Sequence, residues 1–187
     1  YLQRGYTVLL PDLRGTGASA KTLVTIGFEE RKDIEGAVAF LKSKGCGHVG
    51  VDGISLGASA IAYSMQDTPD YAFVVLESCY DTLDHAWQNR LDMFSVPYAI
   101  TLPVRWITQA RLGHWVETMA PVDYMDRCKA PTLVIAGRYD KSTPPEHGEF
   151  IAKAIHGARY VELNAAHLSN WEVAQSFTRQ LVDFLLE

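Results

Sequence analysis

A serine between two glycines, in the order Gly53-Ile54-Ser55-Leu56-Gly57, is the part of the sequence whose residue types most directly suggest chemistry. A short apolar run, residues 48–52, precedes it, and the small residues 58–62 that follow can begin a helix. This is the context of a strand that turns sharply into a helix and presents a serine hydroxyl at the bend. The bend strains the backbone of Ser55, and side chains at positions 53 and 57 are expected to collide there. The pattern therefore predicts a nucleophilic serine at a strand end.

A serine hydroxyl is a weak nucleophile at neutral pH and needs a base within hydrogen-bond reach. His167 is the candidate base, because it lies in the loop between the last predicted strand and the last predicted helix. In a parallel sheet, the loops that follow the strands share one edge, which is also where Ser55 would emerge. The other histidines are less well placed, on helices, at a strand start or in a central insertion: His48, His85, His114, His147 and His156.

A third residue is expected to hold the imidazole in one tautomer and to stabilise its charged form. Asp140 is the candidate, since it directly follows another predicted strand. Glu77 and Asp81, just after the strand before that, are reserve candidates for the acid. The alternative for Asp140 is a structural turn or N-cap residue ahead of Pro144.

The elements that must position these residues alternate between strand and helix, which favours a parallel sheet with helices on both faces. The last helix opens with Ser169 and Glu172 in a capping-box arrangement. Its expected apolar stripe is Ala174, Phe177, Leu181 and Phe184. The predicted strands are residues 6–10, 49–52, 72–76, 132–136 and 160–163, and the predicted helices are residues 29–44, 58 to about 65, 145–155 and 169 onwards.

One segment, about residues 80–120 and called the insertion below, breaks this alternation. It contains Trp87, Phe94, Trp106 and Trp115, while prolines interrupt any long helix. The insertion is predicted either to roof a site, with these aromatic side chains lining an apolar pocket, or simply to pack against the main domain.

Composition narrows the function classes. A chain of 187 residues, 48% of them hydrophobic, predicts one domain over residues 1–187. The net charge of −5, without a basic stripe, argues against nucleic acid, and no apolar run is long enough to span a membrane. The cysteines fit neither a disulfide framework nor a metal site: Cys46, Cys79 and Cys128. We expect a cytoplasmic protein that needs no metal or organic cofactor.

Several motifs resemble those of the α/β-hydrolases, over about residues 1–80 and 120–187. They are Gly5 to Val8 leading to Asp12 to Ser19, the serine motif, Leu133 to Asp140, and Ala166-His167. The order Ser55, Asp140, His167 is also the order of this fold family, unlike that of chymotrypsin or subtilisin. Residues 131–170 resemble the 3-oxoadipate enol-lactonases, whereas residues 77–91 look like the esterase and serine-aminopeptidase branch.

The resemblance implies a serine hydrolase that cleaves a small carboxylic ester or lactone through a Ser-His-Asp triad. A peptidase, a thioesterase or a non-catalytic binding protein of the same fold remains an alternative, and the oligomeric state stays open. The resemblance also assigns one oxyanion donor to the backbone N–H of Leu56 and the second to a loop absent from this chain. Strands 1–3 of that fold, as the family numbers them, are expected to lie outside the sequence, which makes it a fragment of a longer chain whose missing part could include a signal peptide. The alternative is a second chain that supplies the missing strands. The insertion would follow strand 6 in that numbering.

Overall fold

The computed structural model describes residues 1–187 and contains a sheet of four parallel strands. The strands are β1 (Val51–Ile54), β2 (Val74–Glu77), β3 (Thr132–Gly137) and β4 (Arg159–Leu163), and they lie side by side in chain order. Each begins and ends within two residues of a predicted strand. The predicted parallel sheet is therefore confirmed, and the loops that follow the four strands meet at one edge.

Helices cover both faces of this sheet. They are α1 (Arg31–Ser43), α2 (Leu56–Ser64), α3 (Leu83–Met93), α4 (Leu102–Leu112), α5 (Pro145–Ala154), α6 (Ser169–Glu172) and α7 (Ala174–Leu185). Along β2, Val74 and Leu76 pack with α2 and α5, whereas Val75 packs with α7 on the opposite face. This alternation follows from the period of two along a strand. The doubly wound α/β architecture expected from the sequence is confirmed.

The predicted strand over residues 6–10 is wrong. Tyr6–Leu10 forms no strand, and β1 pairs only with β2. A strand requires a neighbour that completes its hydrogen-bond ladder, and no strand of this chain lies between Tyr6–Leu10 and β1. A cavity of about 530 Å³ lies there instead, lined by residues 5–10 together with residues of the β1 edge such as Val49 and Asp52.

The predicted capping box at Ser169 is also wrong, because only Glu172, and not Ser169, accepts backbone N–H groups near the start of the helix. The Ser169 hydroxyl donates to Glu77 instead of capping the helix. The Glu172 carboxylate does accept backbone N–H groups, those of Ala166 and Leu168. The expected single helix is divided at Val173 into α6 and α7. In α7, Phe177, Leu181 and Phe184 are buried as predicted, whereas Ala174 is exposed.

The insertion contains α3 and α4, joined by a short 3₁₀ turn at Tyr98–Thr101. Arg105 of α4 is buried and forms ion pairs with Asp84 and Glu117, which fix α4 to the two ends of the insertion. The inner side of α3 packs against the main domain through Leu83 and Ala86. None of the helices in the structure combines the length and the apolarity needed to cross a membrane.

Candidate active site

Ser55 stands at the sharp bend between β1 and α2. Its φ of 51° and ψ of −110° lie outside the conformations that a serine ordinarily adopts, which is the strained turn predicted from the sequence. Gly53 permits the bend, because a Cβ there would lie 2.6 Å from the carbonyl carbon of Gly57. The expectation for Gly57 is wrong, since a Cβ at that position meets no atom within 4 Å. One of the two glycines is thus required by packing.

The three residues predicted to act together are in contact in the structure. The Ser55 hydroxyl lies 2.9 Å from Nε2 of His167, and Nδ1 of the same ring lies 2.7 Å from Oδ2 of Asp140. Ser55 and His167 are half-buried, whereas Asp140 is 3% exposed. With the ring proton on Nδ1, His167 donates to Asp140 and its Nε2 accepts the serine proton. This is the arrangement that general-base activation of a serine requires.

The Asp140 carboxylate is held by a full set of donors. Its Oδ1 accepts the backbone N–H groups of Ser142 and Thr143 at 2.8 and 2.9 Å. Its Oδ2 accepts the Thr143 hydroxyl at 2.7 Å in addition to His167. Burial raises the pKa of Asp140, but the hydrogen bonds from His167 and Thr143 outweigh it and lower that pKa below the ordinary value. Asp140 is therefore a carboxylate anion beside the ring.

The loop that carries His167 passes very close to the end of β3. A Cβ at Gly137 would lie 1.9 Å from the carbonyl oxygen of Ala166, so only glycine admits the loop at this distance. The Ser78 hydroxyl, at the end of β2, donates to the carbonyl oxygen of His167 at 3.0 Å. Contacts with the ends of β2 and β3 thus fix the position of the loop that carries His167.

The reserve candidates for the acid do not reach His167. Glu77 is 1% exposed, and its Oε1 accepts the Ser169 hydroxyl at 2.6 Å and the Asn170 N–H at 2.9 Å. Its carbonyl oxygen also accepts the N–H of Ser55. Asp81 contacts two other histidines, which are described below. Glu77 therefore anchors the segment after His167, and Asp140 is the acid that faces the ring.

Burial of the Glu77 carboxylate is expected to lower the thermal stability of the protein at neutral pH. Burial raises the pKa of Glu77, despite the opposing hydrogen bonds from Ser169 and Asn170. A carboxyl group whose pKa is raised on folding favours the folded state below its unfolded pKa, and this contribution is lost as pH rises through the folded pKa. Glu77→Gln keeps an oxygen acceptor for both bonds and buries no charge. We expect the variant to melt above the wild type at pH 7, with the difference shrinking toward pH 4.

Thermal unfolding followed by circular dichroism at both pH values would measure this difference. Glu149→Gln is the matched control, because the side chain of Glu149 on α5 is 45% exposed and pairs only with Lys153. A lower melting temperature for Glu77→Gln than for the wild type at pH 7 would contradict the prediction.

The remaining predicted site residues divide into two groups. Leu56 is the first residue of α2, so its backbone N–H is among those without a partner inside the helix. The aromatic residues of the insertion do not form a buried lining. Trp87 is half-buried and donates to Thr101, whereas Phe94, Trp106 and Trp115 are more than half exposed. Their role in a pocket stays a prediction.

Sequence reasoning missed three polar residues of this site: Thr143, Ser78 and, as an anchor, Glu77. Thr143 could have been found, because an Asp followed three residues later by Thr is typical of a side chain that accepts backbone and hydroxyl donors in a turn. The contacts of Ser78 and Glu77 join residues about 90 positions apart, so no local pattern signals them.

Known proteins of several activities share this fold. Over 195 residues the chain is 26% identical to the uncharacterized protein YqkD of Bacillus subtilis, covering all of this chain and 64% of that protein. The 3-oxoadipate enol-lactonase 2 of Acinetobacter baylyi is 24% identical, with 95% of this chain and 78% of the relative covered. The chain thus spans slightly less than two thirds of the length of YqkD.

The chain also superposes on solved structures of other hydrolases. An enol-lactonase from Burkholderia xenovorans is 26% identical and superposes with a TM-score of 0.66, covering 94% of this chain and 79% of that one. An esterase from Pyrococcus furiosus, 22% identical, covers 98% and 71% with a TM-score of 0.77 and shows the shared fold. The sequence model of the prolyl oligopeptidase family matches residues 1–165. The chain belongs to the prolyl oligopeptidase family, within the α/β-hydrolase superfamily.

Proposed function

We propose that this protein is a serine hydrolase that cleaves a small carboxylic ester or lactone through Ser55, His167 and Asp140. The observation that carries the proposal is the continuous chain of hydrogen bonds from the Ser55 hydroxyl through His167 to Asp140. The strained bend at Ser55 supports it, since backbone strain at a polar side chain clusters at functional sites.

In the proposed reaction, each of these residues carries out one step. His167 Nε2 takes the hydroxyl proton as Ser55 Oγ bonds to the substrate carbonyl carbon, and Asp140 stabilises the imidazolium that forms. The N–H of Leu56, at the positive end of α2, donates to the oxygen that becomes negative. His167 then gives its proton to the leaving alkoxide. A water molecule, deprotonated by His167, attacks the acyl-enzyme; as the bond to Ser55 Oγ breaks and the acid is released, His167 returns the proton to Oγ.

The choice of an ester or lactone rests on the relatives. The enol-lactonases from Acinetobacter and Burkholderia each cover more than nine tenths of this chain. A second candidate is peptide hydrolysis, which the match to the prolyl oligopeptidase family favours. The two candidates share every step assigned above and differ in the leaving group, which is an alkoxide in one and an amine in the other.

A fluorophosphonate probe tests the nucleophile without knowledge of the substrate. In the expected reaction, Ser55 Oγ forms a bond to phosphorus and fluoride leaves. Mass mapping should place the adduct on Ser55, and His167→Ala should slow labelling by about 10²–10⁴-fold, because the hydroxyl then has no base. Ser64→Ala is the control, as Ser64 is a buried serine of the same helix that bonds Tyr71 and not His167.

Absence of labelling in a folded protein would favour a binding protein of the same fold. If labelling succeeds, rates with a short p-nitrophenyl ester, an enol-lactone and a proline-containing peptide anilide separate the substrate classes. A value of kcat/KM for the anilide above those for both other substrates would replace the proposed ester or lactone with a peptide.

A further inference from the structure

A second cluster of polar side chains lies at the junction of the insertion with the main domain. Asp81 follows β2, His85 lies in the first turn of α3, and His147 lies on α5. Asp81 and His147 are buried, whereas His85 is about one third exposed. None of the steps proposed for Ser55 uses these residues, and none of the hydrogen bonds of His167 involves them.

The ligand atoms of the three side chains converge. His85 Nδ1 lies 3.2 Å from both carboxylate oxygens of Asp81, and His147 Nδ1 lies 2.5 Å from Oδ1. The two imidazole rings are 4.2 Å apart, and all of the ligand atoms lie within 4.8 Å of one another. Two Nδ1 atoms thus face one carboxylate from two separate helices.

The short contact between His147 and Asp81 must contain a proton or a cation. Both a ring nitrogen lone pair and a carboxylate oxygen are electron-rich, so a contact of 2.5 Å between them requires either a proton or a cation. In the structure as it stands, a proton on Nδ1 of His147 fills this role. A divalent cation can replace that proton and bond to His85 at the same time.

We propose that Asp81, His85 and His147 form a Zn²⁺ site that ties the insertion to the main domain. Two imidazole nitrogens and one carboxylate oxygen are a donor set that suits zinc, with a fourth position for water. In a tetrahedral zinc site with bonds of about 2.1 Å, ligand atoms lie about 3.4 Å apart. The His85–Asp81 contact is already close to this spacing, and the His147–Asp81 contact must widen by about 1 Å.

Surrounding groups support the ligands. The backbone N–H of Thr82 donates to Asp81 Oδ1 at 2.6 Å and orients the carboxylate. The side-chain amide of Asn89, one turn after His85 on α3, lies 2.7 Å from Nε2 of His147. With zinc on Nδ1, the ring proton moves to Nε2, and a rotation of the amide brings its oxygen there to accept it. No net proton is released, and His147 gains the outer partner that metal-bound histidines usually have.

A metal ion bound by these three residues would link the insertion to the main domain. Asp81, His85 and Asn89 lie at the start of the insertion, just before or on α3, whereas His147 lies on α5 of the main domain. A bound ion would therefore hold the first helix of the insertion against α5. No local pattern in the sequence signals this site, since Asp81 and His147 are 66 positions apart.

Calorimetric titration of the EDTA-treated protein with ZnCl₂ tests this proposal. We expect one equivalent to bind, and a thermal midpoint that rises with zinc concentration. His85→Ala should weaken binding at least tenfold, and since His85 is partly exposed, this variant should fold. Asp81→Asn is a second, isosteric variant with the same expected loss.

Two controls separate this site from other histidines. His156→Ala removes an exposed histidine just after α5 and should leave binding unchanged. His167→Ala should also retain one equivalent, which excludes the pair formed with Asp140 as the zinc site. Absence of saturable binding to the wild type would overturn the proposal, as would equal affinity in His85→Ala.

Discussion

Replacing Ser55 by alanine is expected to lower kcat for ester hydrolysis by about 10⁶-fold, the size of the loss found when the nucleophilic serine of a triad is removed. The reason is that the carbonyl must then be attacked by water, with no covalent intermediate to divide the reaction into two steps. The substitution removes one hydroxyl from a half-buried position, so the fold should persist. Steady-state kinetics with a p-nitrophenyl ester, alongside thermal unfolding, measures both effects.

His167→Ala should produce a loss of similar size, and the double variant should lose little more than either single variant. Residues that act as one unit give such non-additive effects. If each variant instead lost only a few-fold, and the losses multiplied, Ser55 and His167 would be independent contributors to binding. Ser64→Ala should remain within a few-fold of the wild type, which controls for changes in α2.

The fold was largely predictable, because its signals are local. Continuous apolar runs mark β2 and β3, shorter segments that mix apolar and polar residues mark β1 and β4, and Gly53 with Ser55 marks the bend after β1. The positions of Asp140 and His167 directly after predicted strands then placed them at one sheet edge. Tyr6–Leu10 shows the limit of this reasoning. Its composition suits a strand, but a strand also needs a partner, which composition does not describe.

The parts that could not be predicted depend on contacts between distant segments. Ser169 satisfies a local capping pattern, yet its hydroxyl bonds to Glu77, 92 residues away. Because Glu77 is buried, an unpaired carboxylate there would cost more free energy than a missing helix cap. Likewise His85 and His147 occupy ordinary helical positions in the sequence, and only packing of α3 near α5 brings their rings together.

A comparison of kcat in Asp140→Asn and in Glu77→Gln tests which of the two buried carboxylates orients the His167 ring. In Asp140→Asn, the amide oxygen should stay at the Oδ1 position, because two backbone N–H groups donate to it there. The NH₂ group then takes the place of Oδ2 and faces His167 Nδ1. Since NH₂ donates, Nδ1 must become the acceptor and the ring proton must move to Nε2. In that tautomer His167 has no lone pair for the Ser55 proton.

We therefore expect Asp140→Asn to lower kcat by about 10⁴-fold, the loss seen when a triad histidine is held in the wrong tautomer. KM should change far less, because Asp140 is buried behind the ring and touches no substrate. Glu77→Gln should retain kcat within a few-fold, since its bonds to Ser169 and Asn170 need only an oxygen acceptor. The reverse pattern would transfer the orienting role to Glu77. Equal, small losses in both variants would mean that His167 keeps its tautomer without a carboxylate, and the Asp140 step of the mechanism would then fail.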